Sequence, residues 1–546
     1  MSTPSALVRD VAALLAVVVA AVGLAAPTLP WQGGRVIYVS RDGSDMRRGR
    51  SLESAVATIQ RAAELARPGD TVLIAPGTYR ERLRVRRGGR PGAPVVFRAA
   101  EPGSVLVSGE TDPGVVAQLV WRDEGGGVHS AEVPWPVYRV RAGDHYLFHT
   151  LWSNLEGFHN LVDLDGAWDT SIYVSEERRL YIFLADGRTP DTTDLAFHGP
   201  IPSPREWGNI RSANVWVEAD HVVFEGLRFV AGIGAGLLLW SADHVEVRDC
   251  LFEGAGYGIQ TRPRVRAITD VTAEYNLYHN YPQAAWRDEW LTWDQVYAHY
   301  SSSTLIASLV DGVTVRGNLI AHSGDALRLT SRGGVEGVEI RDNLIFRGTD
   351  DAIEFDGPGV DVIMRGNLIY DVHESLGLSP VTQGPVLVED NLFLHPAGRL
   401  NGAQMKLLNP AFDLGDSTST IRNIEIRHNT FVGNWLSWWS TAPVADVLVE
   451  DNLFAVQRMT DPPWHAGVTA RSNTFEPQPT GGYPDPALNP RWWDRTVEPA
   501  GADGYDGAVA PGRRWSMPRP GPRWFDFSEH PATAPIDSLF AGRLFQ

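Results

Sequence analysis

"GVTVRGNLIAHSGDALRLT" (312–330) is followed closely by "GVEIRDNLIFRGTDDAIEFDG" (337–357). The two share one grammar. Apolar residues alternate with polar ones, an Arg-x-Asn-Leu step breaks the run, and alternation resumes. Period two is the signature of strands whose successive side chains face opposite sides. The central step recurs down the second half of the chain, as "FEGLRF" at Gly226, "RDCLFEG" at Cys250, "EYNLYHN" at Asn276, "RGNLIAH" at Asn318 and "RDNLIFR" at Asn343. It continues as "RGNLIYD" at Asn367, "EDNLFLH" at Asn391, "RHNTFVG" at Asn429, "EDNLFAV" at Asn452 and "RSNTFEP" at Asn473. The intervals are 24, 26, 42, 25, 24, 24, 38, 23 and 21 residues, so a unit near 24 carries two long insertions. Internal periods of this size indicate a repeat architecture, and a propeller blade would need about 40–45 residues. One coil of a parallel β-helix fits. Coils stack about 4.8 Å apart, alternate side chains fill the tube, and stacked asparagines satisfy backbone groups that a tight turn exposes. Gly226 and Cys250 are expected to interrupt the asparagine column.

Two residues before each step the side chain points outward. That row reads Arg248, Glu274, Arg316, Arg341, Arg365, Glu389, Arg427, Glu450 and Arg471. A self-neutralising charge ladder on a solvated face is the preferred reading; attraction of a polyanion is the other.

The N-terminal region carries a family likeness. "RVIYVSRDGSD" (35–45) and "ATIQRAAELARPGDTVLIAPGTYRERLRV" (57–85) resemble the start of the pectate-lyase-like superfamily of right-handed parallel β-helix proteins. Independently, Thr58 suits a helix N-cap, and Ile59, Ala62, Ala63 and Ala66 form an apolar stripe. Such a helix would plug the open end of the tube and protect its edge. The expected fold is therefore all-β: a right-handed parallel β-helix with a capping helix, an inserted β-rich subdomain and an irregular tail. The expected divisions are 1–30 (signal or anchor), 31–110 (cap and first coils), 111–208 (insertion), 209–475 (coils) and 476–546 (Pro/Gly/Trp-rich tail laid along the helix).

The net charge of −18 disfavours nucleic acid and anionic membrane surfaces as partners. A single cysteine, Cys250, excludes an intramolecular disulfide. The apolar run "VAALLAVVVAAVGLAA" (11–26) reads as a secretory signal, with an uncleaved N-terminal anchor as the alternative. Either places the body outside the cytoplasm, secreted or at the cell surface. A monomer without an organic cofactor is expected.

Of the 48 Lys and Arg residues, Lys406 is the one lysine. Aligning "YGIQTR", "GDALRLT", "DDAIEFDG", "SLGLSP" and "AQMKLLN" puts Ile259, Leu327, Ile353, Leu376 and Met405 inside. It puts Gln260, Arg328, Glu354, Gly377 and Lys406 outside. Arg262 and Asp356 are then also outward. Lys406 is expected one rung from Gly377 and one from Trp439, whose face suits a sugar ring. "GTDDAIEFDG" supplies Asp350, Asp351, Glu354 and Asp356, with Asp325 and Glu374 on adjacent coils. These carboxylates are candidate Ca²⁺ ligands, candidate acid and base groups of a hydrolase, or ordinary turn residues. The first long insertion carries Trp286, Trp290, Trp293 and His299, a candidate wall of a sugar groove. The second carries Arg399 and Lys406.

The leading expectation is a polysaccharide lyase that cleaves a uronate polymer by β-elimination. The superfamily's lyases use Lys or Arg as base, often with Ca²⁺ or an arginine at the carboxylate. The resemblance therefore implies Lys406 as base, with Arg399 and Arg328 as candidates for the carboxylate or the acid. A glycoside hydrolase using Asp350, Asp351 and Glu354 is the alternative, since "GTDDAIEFDG" also resembles the Asp-Asp segment of polygalacturonases. A non-catalytic carbohydrate-binding or surface protein is the third.

Overall fold

The computed structural model describes residues 34–137, 139–149, 158, 169–197, 213–230, 234–262, 267–280, 303–307, 310–330, 335–348, 350–356, 358–370, 372, 374–378, 381–394, 404–406, 419–437, 443–460, 467–475 and 520–525. Strands dominate, and they stack in parallel as coils. One 13-stranded sheet runs from Val36–Val39 to Val468–Arg471, and a second 13-stranded sheet runs from Gly77–Tyr79 to Thr474–Phe475. A third sheet of seven strands runs from Leu83–Val85 to Ile353–Asp356. Successive members of each sheet come from successive coils, as the repeat requires. The result is a right-handed parallel β-helix.

Alternation places every second side chain in the tube. Val313, Val338, Val362 and Val386 stack in the first sheet, and Leu305, Leu327 and Ile353 in the third. Phe393, Phe431 and Phe454 stack face to face with centroids 4.6 and 5.1 Å apart, the spacing of the coils themselves. Fully burying a side chain of this size stabilises by about 1.5–3 kcal/mol, so stability accumulates coil by coil.

The turn between the first two sheets is solved identically in each coil. From Asn276 to Asn473, each asparagine Oδ1 accepts the ladder residue's backbone N–H from the coil before, at 2.9–3.1 Å. Each Nδ2 donates to a carbonyl of the preceding coil at 2.8–2.9 Å. It also donates to the next asparagine's Oδ1 where there is one, at 2.9–3.1 Å. The column meets Cys250 as expected, but not Gly226. Glu225 pairs with Arg248 and Arg228 with Leu251, so Leu227 holds the ladder position. Gly226 is one residue earlier, where φ is positive in every one of these coils, because the turn passes through the left-handed region there. The outward charge row is neutralised as the preferred reading expects. Arg248 pairs with Glu225 at 3.0 Å, Arg316 with Glu274 at 2.8 Å, and Arg427 with Glu389 at 2.8 Å.

The helix Ile59–Leu65 starts where the sequence places it. Thr58 caps it by accepting from Arg61 N–H at 3.0 Å, and Glu81 accepts the N–H groups of Ile59 and Gln60 at 2.8 and 2.9 Å. Its face of Ile59, Ala62 and Ala63 is buried in the core of the tube.

Between Val105–Ser108 and Ala213–Val217 the chain leaves the coil. It forms one five-stranded and one three-stranded sheet with mostly antiparallel pairs and a core of their own. This insertion is joined to the coils through Tyr146, whose ring lies against Gly254. A Cβ at Gly254, which has φ +59°, would stand 2.2 Å from that ring. Residues 520–525 lie along the asparagine turn. Trp524 donates to the Asp249 carbonyl at 2.7 Å, and Trp524 and Phe525 cover a row of leucines that includes Leu251, Leu277 and Leu319.

Candidate functional site

Where the second sheet turns into the third, the side chain at one position changes from coil to coil. Register aligns Tyr257 with Ser303, and Asp351 with Glu374. The pairing of Leu305 with Leu327 and of Leu327 with Ile353 puts Asp325 between Ser303 and Asp351 in that column. Each acid precedes a small inward residue and then a core residue, as in Asp325-Ala326-Leu327 and Asp351-Ala352-Ile353. The core therefore fixes where the acids point. Asp325, Asp351 and Glu374 are 4%, 1% and 7% exposed although they stand outside the tube.

A second row runs in register beside this column: Gln260, Ile306, Arg328, Glu354 and Gly377. One carboxylate oxygen each from Asp325, Asp351 and Glu354 falls within 4.8 Å of the other two. Arg328 joins them, with Nη1 3.4 Å from Asp325 Oδ2 and Nε 3.0 Å from Glu354 Oε2. The glycine at 377 has a specific task. A Cβ there would press on the Asp351 carboxylate at 3.2–3.3 Å, so the missing side chain houses Asp351.

Three carboxylates this close repel one another, and the guanidinium of Arg328 offsets part of that repulsion. Hard oxygen donors at this density suit Ca²⁺. Two oxygens on one such ion, each at about 2.3–2.6 Å, lie at most about 5 Å apart. The residues present therefore fit a calcium ion.

Of the expected metal ligands, Asp351 and Glu354 come together, and Asp325 joins them. Asp350, half-buried beside Asp351, is not among the converging carboxylates. The side chain of Asp356 lies outside the described residues, as do Arg399, Trp286, Trp290, Trp293, His299 and Trp439. Arg262 pairs in register with Trp240, well before the acids along the helix. Lys406 is placed by its backbone, in the strand Gln404–Lys406. That strand belongs to the coil of Asn391, directly after the coil holding Glu374 and Gly377. Its register differs from the expectation: Lys406 pairs with Ser437, not with Trp439. Thr430–Ser437 runs as one continuous strand, and its register against Gln404–Lys406 ends at Ser437, two residues before Trp439.

Two features were not foreseen. Ser303–Ala307 is a full member of the third sheet, so the long interval after Asn276 contains a regular coil strand as well as an insertion. Its "STLIA" alternation was the available signal. His279 and His322, on adjacent coils, are buried and share a contact of 3.0 Å between Nε2 and Nδ1. The histidines in "LYHN" and "IAHS" fall at neighbouring positions of the repeat, which could have shown it.

The fold is the right-handed parallel β-helix that the N-terminal resemblance led one to expect. No family model matches the sequence. Two curated proteins are similar over short stretches. The uncharacterized protein YwoF of Bacillus subtilis is 42% identical over 78 residues, 14% of this chain and 16% of that protein. Pectate lyase PEL9 of Emericella nidulans is 39% identical over 85 residues, 15% of this chain and 20% of that protein. The chain thus matches a fifth or less of the length of either relative. Among solved structures, a complex of XylC with xylose aligns at TM-score 0.44 and 14% identity, covering 78% of this chain and 70% of that one. Pectate lyase Pel9A aligns at TM-score 0.37 and 12% identity, covering 83% of each chain.

Proposed function

We propose that this protein is an exported polysaccharide lyase that cleaves a uronate-containing polymer by β-elimination. The observation that carries the reading is the convergence of Asp325, Asp351 and Glu354 on the outside of the coils, with Asp351 and Glu354 two coils and Asp325 three coils before the strand of Lys406. The short likeness to a curated pectate lyase points the same way. The apolar run 11–26 supports export; it lies outside the described residues, and among those no helix is long and apolar enough to cross a membrane.

Asp325, Asp351 and Glu354 would hold the calcium ion. When bound, it would neutralise a uronate carboxylate and so acidify the proton alpha to it. Lys406 takes that proton. The electron pair left behind forms the new C=C bond, the bond to the glycosidic oxygen breaks, and that oxygen gains a proton from water or an acid. An amine does this best with its pKa lowered towards the working pH.

The test uses the full-length protein with pectate, alginate and glycosaminoglycans. The expected product absorbs in the ultraviolet, because elimination leaves an unsaturated uronate. Lys406→Ala is expected to abolish that signal without loss of fold. New reducing ends without the absorbance would replace this reading with a hydrolase. The converging carboxylates are close enough for that, since retaining hydrolases hold theirs about 5–5.5 Å apart.

A further inference from the structure

We propose that Arg328 is the resident counter-cation of the carboxylate cluster. It competes with a divalent cation for Asp325 and Glu354, and the incoming cation releases it towards the carboxylates of the polymer. This inference rests on the lyase reading and deepens it.

The geometry carries the first half. Arg328 bridges two of the three converging carboxylates, at 3.4 Å to Asp325 and 3.0 Å to Glu354. Its side chain is 39% exposed, against 5% and 15% for those two partners. The cation is thus the outer member of a buried acidic group. A divalent ion bound by the same oxygens would meet a like charge a few ångströms away and would claim the same lone pairs. Both effects drive the guanidinium off its partners. Solvent lies on its open side, so it can swing away without unpacking the core.

Position carries the second half. Arg328 lies on the outward row of the third sheet, one rung before Glu354 and two before Gly377. The strand of Lys406 is a further coil on, about 14 Å from Arg328 at the spacing of stacked strands. One sugar cannot meet both groups. A released Arg328 would therefore hold a carboxylate on a different sugar from the one that loses its proton. The preferred substrate is then a run of uronates, not a uronate isolated among neutral sugars. The planar fork of Arg suits bidentate carboxylate recognition.

The experiment is calorimetric titration of the full-length protein with Ca²⁺. Arg328→Gln should bind Ca²⁺ tighter than wild type by about tenfold or more, because removing a competing cation raises the site's effective negative charge. Arg328→Lys keeps the charge and should remain near wild type. Arg328→Gln should also raise KM for a uronate homopolymer more than it lowers kcat. If Arg328→Gln is marginally folded, the Ca²⁺-induced rise in melting temperature replaces the titration, and it should exceed that of wild type. Equal or weaker Ca²⁺ binding by Arg328→Gln overturns the inference. Asp351→Asn separates the two claims. If it binds Ca²⁺ as wild type does, the cluster is not the cation site, and the metal part of the lyase reading falls together with this inference. If it loses binding while Arg328→Gln gains nothing, only the inference falls.

Discussion

Each coil turns twice at a defined column, and the two columns are built on opposite rules. Between the first and second sheets, asparagine follows asparagine from Asn276 to Asn473. Entering the third sheet, one column reads Tyr257, Ser303, Asp325, Asp351 and Glu374. The stacking distance is the same for both. An amide stacked on an amide is self-complementary, since it donates on one side and accepts on the other, so the ladder can extend without limit. A carboxylate stacked on a carboxylate offers acceptor to acceptor and charge to like charge. That column cannot satisfy itself by stacking; Asp325 is met by Arg328 from the neighbouring row. Periodicity here marks what the fold needs, and the break in periodicity marks the candidate site.

The largest effect should come from breaking the acidic column. Asp351→Asn removes one charge from the converging group while nearly keeping its volume. Elimination activity, read as unsaturated product, should fall by more than about a hundredfold. Melting temperature without added metal should hold or rise, because the substitution relieves repulsion between buried like charges. A variant that loses activity and stability together would mean that Asp351 is structural.

Next in size is a break in the ladder. Asn343→Ala strips partners from the Val315 carbonyl, the Asn367 Oδ1, and both the backbone and side-chain N–H groups of Asn318. Leaving buried polar groups unpaired costs about 1–3 kcal/mol each, partly offset by relaxation, so a loss of about 3–5 kcal/mol is expected. Thermal or urea unfolding checks it. Activity per folded molecule should hold, which is the reverse of the Asp351 result.

The same contrast explains what could be read from the sequence. The ladder was legible because a repeated structural problem leaves a repeated residue. Only Gly226 misled, since glycine also suits the left-handed residue one place earlier. The coil strand Ser303–Ala307 was hidden because its turn residue lies far back in an insertion-bearing interval. The acidic site was half legible. Asp351 and Glu354 stand in one run of sequence. The repeat also sets Asp325 on the adjacent coil, but the ion pairs with Arg328 and the use of Gly377 to house Asp351 depend on exact side-chain geometry between coils. Lys406 falls on the expected coil, but its partner is Ser437, two residues before Trp439, because register is set by the continuous strand Thr430–Ser437.

A smaller effect sharpens the comparison in the insertion, which has no repeat at all. His145 Nε2 lies 2.8 Å from Asp169, and its Nδ1 lies 3.1 Å from Asp144. Burial works to lower its pKa, but the bonds and charges of Asp169 and Asp144 outweigh it, and the net shift is upward. A raised folded pKa stabilises the protonated side. The contribution is fully present below the unfolded value of about 6.5 and is lost as pH rises through the folded value. Melting of the insertion should therefore fall across that window, and His145→Gln should flatten the dependence. The asparagine ladder holds no titratable side chain, so its own bonds do not respond.

The smallest effect belongs to the outward charge row, which is periodic in position but not in necessity. Arg365 is 55% exposed and reaches Glu389 at 3.1 Å. Glu389 is only 8% exposed, yet it also accepts from Arg427 at 2.8 Å. Removing Arg365 leaves Glu389 paired, so Arg365→Ala should cost about 0.5 kcal/mol or less. Arg365→Ala combined with Arg427→Ala strips both of these cations from a buried carboxylate, and that costs several kcal/mol where no other cation steps in. The double variant should therefore lose more than the two single variants together, in a cycle read by thermal unfolding. Additive losses would show that Glu389 is satisfied by other neighbours, and that the row is decoration on the coils and not part of what holds them in register.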